Sequence, residues 1–245
     1  EHDFARDGFP SDRFSILQAQ SGEAFAPRSD GLHVALLGAQ GYRNAMFAPL
    51  VEIHGDFDVI ATYEKIEMES PFDGSSSVFL QATLSNQLQS ECAVMRRQTN
   101  DKVDPDQQFH QTVVVHKEPT GERRNYSRAM PNEAFAGSLR LARRGKMVHF
   151  LVADGDSTQF RLIRTEELAE DHVSSGGLKL FNQTKGPAQM LVVWKSLSIR
   201  AEKLSGLAVE DSREVVATLD RQRAALPPRL THDFARDRLT PERFS

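Results

Sequence analysis

The sequence predicts an all-β sandwich, and three observations predict it. Apolar residues alternate with polar ones at a period of two through much of the chain between residues 56 and 199, the signature of strands with one buried face. Clusters of Gly, Pro, Asp and Ser punctuate these runs about every 10 residues, the spacing of short antiparallel strands. Helical periodicity is confined to two short places.

In chain order, Asp56–Tyr63 puts Phe57, Val59, Ala61 and Tyr63 on one side of a strand. Val78–Leu84 and Phe109–Val115 are rich in β-branched and aromatic residues, and turn formers such as Asp73-Gly74-Ser75 and Glu118-Pro119-Thr120-Gly121 bound them. Ser138–Ala142 and Met147–Val152 read as a hairpin around Arg143-Arg144-Gly145-Lys146. Asp154-Gly155-Asp156 turns the chain into Gln159–Ile163, and Gly177–Phe181 and Met190–Ile199 supply the last two strands. With weaker runs near Val34 and Val94 the total is about nine or more, enough for a sandwich or barrel. Thr165-Glu166-Glu167-Leu168 reads as a short helical turn between strands. Asp211-Ser212-Arg213-Glu214, ahead of Val215, Val216 and Leu219, is a capping-box-like start that predicts a helix over about 212–225, stopped by Pro227-Pro228. Three apolar positions make a thin stripe, which suits a connector packed on its own domain better than a partner-binding helix.

The ends of the chain repeat each other. His2-Asp3-Phe4-Ala5-Arg6-Asp7 recurs as His232-Asp233-Phe234-Ala235-Arg236-Asp237, and Arg13-Phe14-Ser15 as Arg243-Phe244-Ser245, with nine of fourteen positions identical at a constant offset of 230. Self-similarity at a fixed period predicts a tandem array. The organisation expected is a sandwich over 1–205, a helical linker over 206–230 and the truncated start of a second unit over 231–245, loosely attached. The chain opens at Glu1 with no basic segment followed by an apolar one, so no signal peptide is visible in this stretch.

Composition narrows the function classes. The 245 residues are 39% hydrophobic and 26% charged, with a net charge of -4 from 30 basic and 34 acidic side chains, so a basic stripe for nucleic acid is not expected. No apolar run is long enough for a membrane span. A single cysteine, Cys92, excludes an internal disulfide and a multi-cysteine zinc site.

The stretch Leu139–Ile199, with Leu-Arg-Leu-Ala-Arg-Arg-Gly-Lys at 139–146, Val-His-Phe-Leu-Val at 148–152 and Val-Val-Trp-Lys-Ser-Leu-Ser-Ile at 192–199, resembles the C-terminal half of a concanavalin A-like lectin/glucanase jelly-roll sandwich of the laminin-G-like type. Gly55-Asp56-Phe57-Asp58-Val59 is similar to a strand opening of such domains. The chain also resembles a bacterial domain of unknown function in which a His-Asp-Phe-Arg-like segment opens each tandem unit, although Ala5 and Ala235 depart from that pattern. The resemblance covers about residues 30 to 203. It implies a secreted, periplasmic or cell-surface module, and many such domains bind glycans; fold membership does not fix function.

Alternation places Gln81, Arg96, Arg140 and His149 on solvent-facing positions, with Tyr126 near. This polar face offers hydrogen bonds and stacking to a sugar, or guanidinium groups to an acidic polysaccharide. An ordinary solvated face is the competing reading. Catalysis by a glucanase-like carboxylate pair has one local candidate, Glu67-Met68-Glu69 with Glu64 upstream, in a spacing unlike the family's. Gly-x-Ser-x-Gly, His-Glu-x-x-His and phosphate-loop motifs are absent, His149 reads as a sheet-face residue, and Cys92 reads as a buried strand thiol. No cofactor is expected. Asp154-Gly155-Asp156-Ser157 offers calcium two carboxylates and a hydroxyl, about three of the six or more oxygens it needs, and reads as a plain hairpin turn. The sequons at Asn125 and Asn182 are short patterns, and the basic clusters at 143–146 and 123–124 read as solubilising turns. The expected function is a non-catalytic glycan-binding or surface-binding module of an extracytoplasmic bacterial protein, its partners a glycan or cell-surface polysaccharide and neighbouring repeats. A structural or protein-interaction repeat without small ligand is the alternative, and a glycoside hydrolase the third reading.

Overall fold

The computed structural model describes residues 1–19, 24–36, 42–68, 74–85, 90–100, 107–118, 121–132, 134–168, 170–185 and 189–206. The first elements are β1 (His2–Asp3), α1 (Phe4–Asp7), β2 (Phe14–Ala19), β3 (Phe25–Arg28), β4 (Gly31–Leu36) and β5 (Tyr42–Pro49). The middle of the chain forms β6 (Val51–Met68), β7 (Gly74–Leu84), β8 (Glu91–Asn100), β9 (Gln107–Glu118) and β10 (Gly121–Pro131). The remainder forms β11 (Gly137–Arg144), β12 (Met147–Asp154), β13 (Arg161–Glu167), β14 (Val173–Lys185) and β15 (Met190–Gly206).

All pairings are antiparallel, and they resolve into two layers. One layer runs β2-β5-β14-β7-β8-β9-β10, and the other runs β3-β4-β15-β6-β11-β12-β13 with β1 beside β15. The layers join where β14 touches β6 at Val173 and Ile53. A two-layer antiparallel sandwich with one corner is the jelly-roll arrangement that the alternation predicts. The side expected to be buried on β6 is buried: Phe57, Val59, Ala61 and Tyr63 pack with Leu139, Leu141, Phe150 and Trp194 in one core.

The opening segment is part of that core. Asp3 caps α1 by accepting from Ala5 N at 2.9 Å and Arg6 N at 3.2 Å, and Asp7 Oδ2 accepts from Asp3 N at 3.1 Å. Phe4, fully buried, meets Phe14 at 5.4 Å and Phe47 at 5.9 Å between ring centroids, while the His2 ring lies 4.7 Å from Phe14. Phe47 carries the cluster on to Trp194 at 6.3 Å.

Two expectations are corrected here. Thr165–Glu167 is strand, not a helical turn: β13 pairs with β12 through His149 opposite Thr165 and Val148 opposite Glu166, and backbone pairing outweighs a weak local preference. Arg143 is not a solubilising turn residue, being 1% exposed. The hairpin turn is only Gly145-Lys146, because Arg144 already pairs with Met147. This register turns Arg143 inward, where its guanidinium donates to the Gly55 and Asp171 carbonyls and lies 5.0 Å from the Phe57 ring centroid. The helix expected over 212–225 and the second copy at 232–245 lie outside the described residues.

Candidate functional site

Strands β7, β8 and β14 of the first layer bury a second, smaller apolar cluster on the face away from the core: Phe79, Ala93, Met95 and Phe181, with Met46 and Val113 packed against them. On β7, Val78, Leu80 and Ala82 point into the core, and Phe79 and Gln81 point away; on β8, Cys92, Val94 and Arg96 point in, and Glu91, Ala93, Met95 and Arg97 point away. The outward set lines a groove of about 400 Å³.

Register sets the lining in rows across the strands, which Ser77 and Gln111 continue beyond the groove. The central row is Met46, Phe181, Phe79, Met95 and Gln111, from β5, β14, β7, β8 and β9 in turn. Phe79 and Phe181 are stacked with centroids 4.1 Å apart and planes 8° from parallel. On one side run Asn44, Gln183, Ser77 and Arg97; on the other, Gln81, Ala93, Val113 and Tyr126, followed by Glu91, Val115 and Arg124. Arg97 donates to Gln111 Oε1 at 3.0 Å and Ser75 Oγ at 3.2 Å, and Gln81 Nε2 donates to Glu91 Oε2 at 3.1 Å. Asn44 is 6% exposed, and its Oδ1 is buried without a hydrogen-bond partner, a loss of about 1 to 3 kcal/mol for an unsatisfied acceptor.

Of the five residues expected on one binding face, the structure brings Gln81 and Tyr126 to the groove, with Tyr126 53% exposed. Arg96 is a correction. It pairs with Val78, on the core side, and is 2% exposed; Gln81 pairs with Ala93, three residues from Arg96, so the two side chains point to opposite faces. Its guanidinium donates to Arg97 O at 2.9 Å and to Gln108 Oε1, and burial lowers its pKa against the opposing pull of the Tyr63 and Asp154 side chains. Arg140 and His149 face solvent on the other layer. Arg140 is spanned by Asp58, with Nε to Oδ1 at 2.8 Å, and lies 5.0 Å from the Phe160 ring centroid, while His149 Nδ1 sits 3.0 Å from Thr165 Oγ1.

Cys92 is buried, and burial pushes its thiol pKa up to about 12. Glu64 forms an ion pair with Lys195 at 3.0 Å, Glu67 is not among the groove residues, and Glu69 lies outside the described residues. Asp154 is held by Asn132 Nδ2 at 2.7 Å, His110 Nε2 at 3.0 Å and Arg161. Asn182 is fully buried, accepting from Trp194 Nε1 at 3.3 Å. Among the described residues Glu91 is the one carboxylate lining the groove, whereas a glycosidase needs two facing each other.

Sequence reasoning missed Phe79, Phe181, Asn44, Gln183, Arg97 and Arg124. A signal for two of them exists: Val78-Phe79-Leu80 and Leu180-Phe181 break the alternation with apolar neighbours, and near-continuous apolar runs mark strands covered on both faces.

The fold has solved relatives. The legume lectin-like domain from Entamoeba histolytica matches with a TM-score of 0.50 at 9% identity, covering 78% of this chain and 91% of that one. The VIP36 exoplasmic/lumenal domain in its Ca2+/Man3GlcNAc-bound form matches with a TM-score of 0.51 at 8% identity, covering 82% and 90%. The Crh5 transglycosylase in complex with NAG matches with a TM-score of 0.52 at 12% identity, covering 82% and 83%. These likenesses establish a lectin-like β-sandwich. No curated protein matches the sequence. The profile described as "Protein of unknown function (DUF1583) C domain" matches residues 1–245, and the chain therefore belongs to the DUF1583 family through its C domain.

Proposed function

We propose that this chain is a non-catalytic glycan-binding module whose ligand lies in the groove over β5, β14, β7, β8, β9 and β10. The observation that carries this reading is the combination of an apolar floor, flanking amide and guanidinium side chains, and the orphaned acceptor of Asn44. A sugar presents apolar C–H groups and O–H donors together, and a hydroxyl entering beside Asn44 would satisfy Oδ1. The fold relatives, a legume lectin-like domain and two proteins bound to Man3GlcNAc or NAG, agree with it. The lone Glu91 supports binding over hydrolysis.

The test is affinity electrophoresis and a glycan array with the full chain, with calcium and with chelator. Binding is expected, and Gln183→Ala or Phe181→Ala should weaken it at least tenfold, whereas an array that stays blank in both conditions removes the reading. In the wider protein the module is extracytoplasmic and one of a tandem series. A second reading, a structural repeat without small ligand, has one observation in its favour: the segment that recurs at 232–245 is, at 2–15, built into the core.

A further inference from the structure

We infer that the groove selects an acidic polysaccharide, one carrying uronate or sulfate groups, over a neutral one; this rests on the glycan-binding reading above. Phe79 and Phe181 are direct neighbours on adjacent strands, and their rings are parallel within 8° at 4.1 Å. Since the line joining the rings runs within the sheet, the ring planes stand upright on it. Each ring gives one face to the other, and the outer faces are flanked by Met46 and Met95 in the same row of the same cluster. With Phe79 and Phe181 only 8% and 7% exposed, little of either ring face is open to the groove.

A neutral pyranose packs its C–H face against an open aromatic face, and neither ring has one to offer. A ring rim carries the positive part of the aromatic quadrupole and attracts electron-rich atoms. The charges that line the groove point the same way. Among the described lining residues Arg97 and Arg124 face one carboxylate, Glu91. They occupy opposite flanks of the central row, on β8 and β10. Guanidinium groups are the side chains best matched to the paired oxygens of carboxylates and sulfates. A polyanion crossing the strands along the central row would thus meet ring rims beneath its acid groups and a guanidinium on either side.

The experiment compares each polymer with its own neutral form. The full chain is titrated with polygalacturonate, alginate and hyaluronan before and after carboxyl reduction, and with chondroitin sulfate before and after desulfation, which separates uronate from sulfate as the source of charge. At least one acidic polymer is expected to bind tenfold or more tightly than its neutral form. Raising sodium chloride from ~50 to ~500 mM should weaken the acidic form selectively. Arg124→Gln, at an exposed position, and Arg97→Gln should each collapse the acid-to-neutral ratio, with the near-ultraviolet circular dichroism spectrum reporting that the fold persists. Equal binding of acidic and neutral forms overturns the charge selectivity and leaves glycan binding standing. Selectivity that survives in both variants overturns its assignment to the groove. Absence of binding to every polymer, charged or neutral, overturns this inference together with the function on which it rests.

Discussion

Asp3, Phe4, Asp7 and Phe14 show how much one short segment can be asked to do. Two carboxylates cap one turn of helix while two phenylalanines and His2 fill the space in front of Phe47. Phe4→Ala should lower the unfolding free energy by about 3 to 5 kcal/mol, the usual cost of emptying a buried aromatic site, as read by urea denaturation. Gly31 is constrained differently. Its φ is +141°, and a Cβ there would meet Trp194 O at 2.6 Å and Val193 Cγ1 at 2.8 Å. Gly31→Ala should therefore cost at least about 2 kcal/mol, and a thermal midpoint unchanged from the parent would contradict the close approach of β4 to β15. Arg143 was legible as a basic residue near a turn, and only its register with Phe57 revealed a buried guanidinium.

Strands made the largest difference between reading and structure. An alternating run states that two faces exist, but pairing decides which residues of different strands share one. Gln81 and Arg96 both looked outward in their own strands, yet Arg96 stands opposite Val78 and enters the core. There the end of β9 contributes His110, buried and within reach of Asn132 and Asp154. Burial pulls the His110 pKa below its ordinary value of 6.5, against the opposing effect of the Asp154 carboxylate. The unfolded chain therefore takes up a proton as pH drops through about 6.5 while the folded chain does not. Stability contributed by this site is present above that pH and is lost below it. Urea midpoints should fall between about pH 7.5 and about pH 5, and the fall should be smaller in His110→Gln; identical pH profiles for the two proteins would show that His110 is not responsible.

At the scale of the molecule, the same nine identities appear near both ends of the sequence. Residues 2–15 have Phe47 and Trp194 to pack against. If the second copy belongs to another unit, deleting 232–245 should leave the thermal midpoint within about a degree, while deleting 2–15 should abolish cooperative unfolding. Equal sensitivity to both deletions would argue that the second copy also serves this sandwich. The sequence by itself determined the all-β class, the inward face of β6, the 138–152 hairpin and the buried state of Cys92, because each is written in local periodicity, turn chemistry or residue size. Only the tertiary structure decided the groove. Asn44, Phe79, Met95, Val113 and Phe181 come from five strands spread over more than a hundred residues, and what makes them neighbours is register, a property of strand pairing that no single strand's pattern contains.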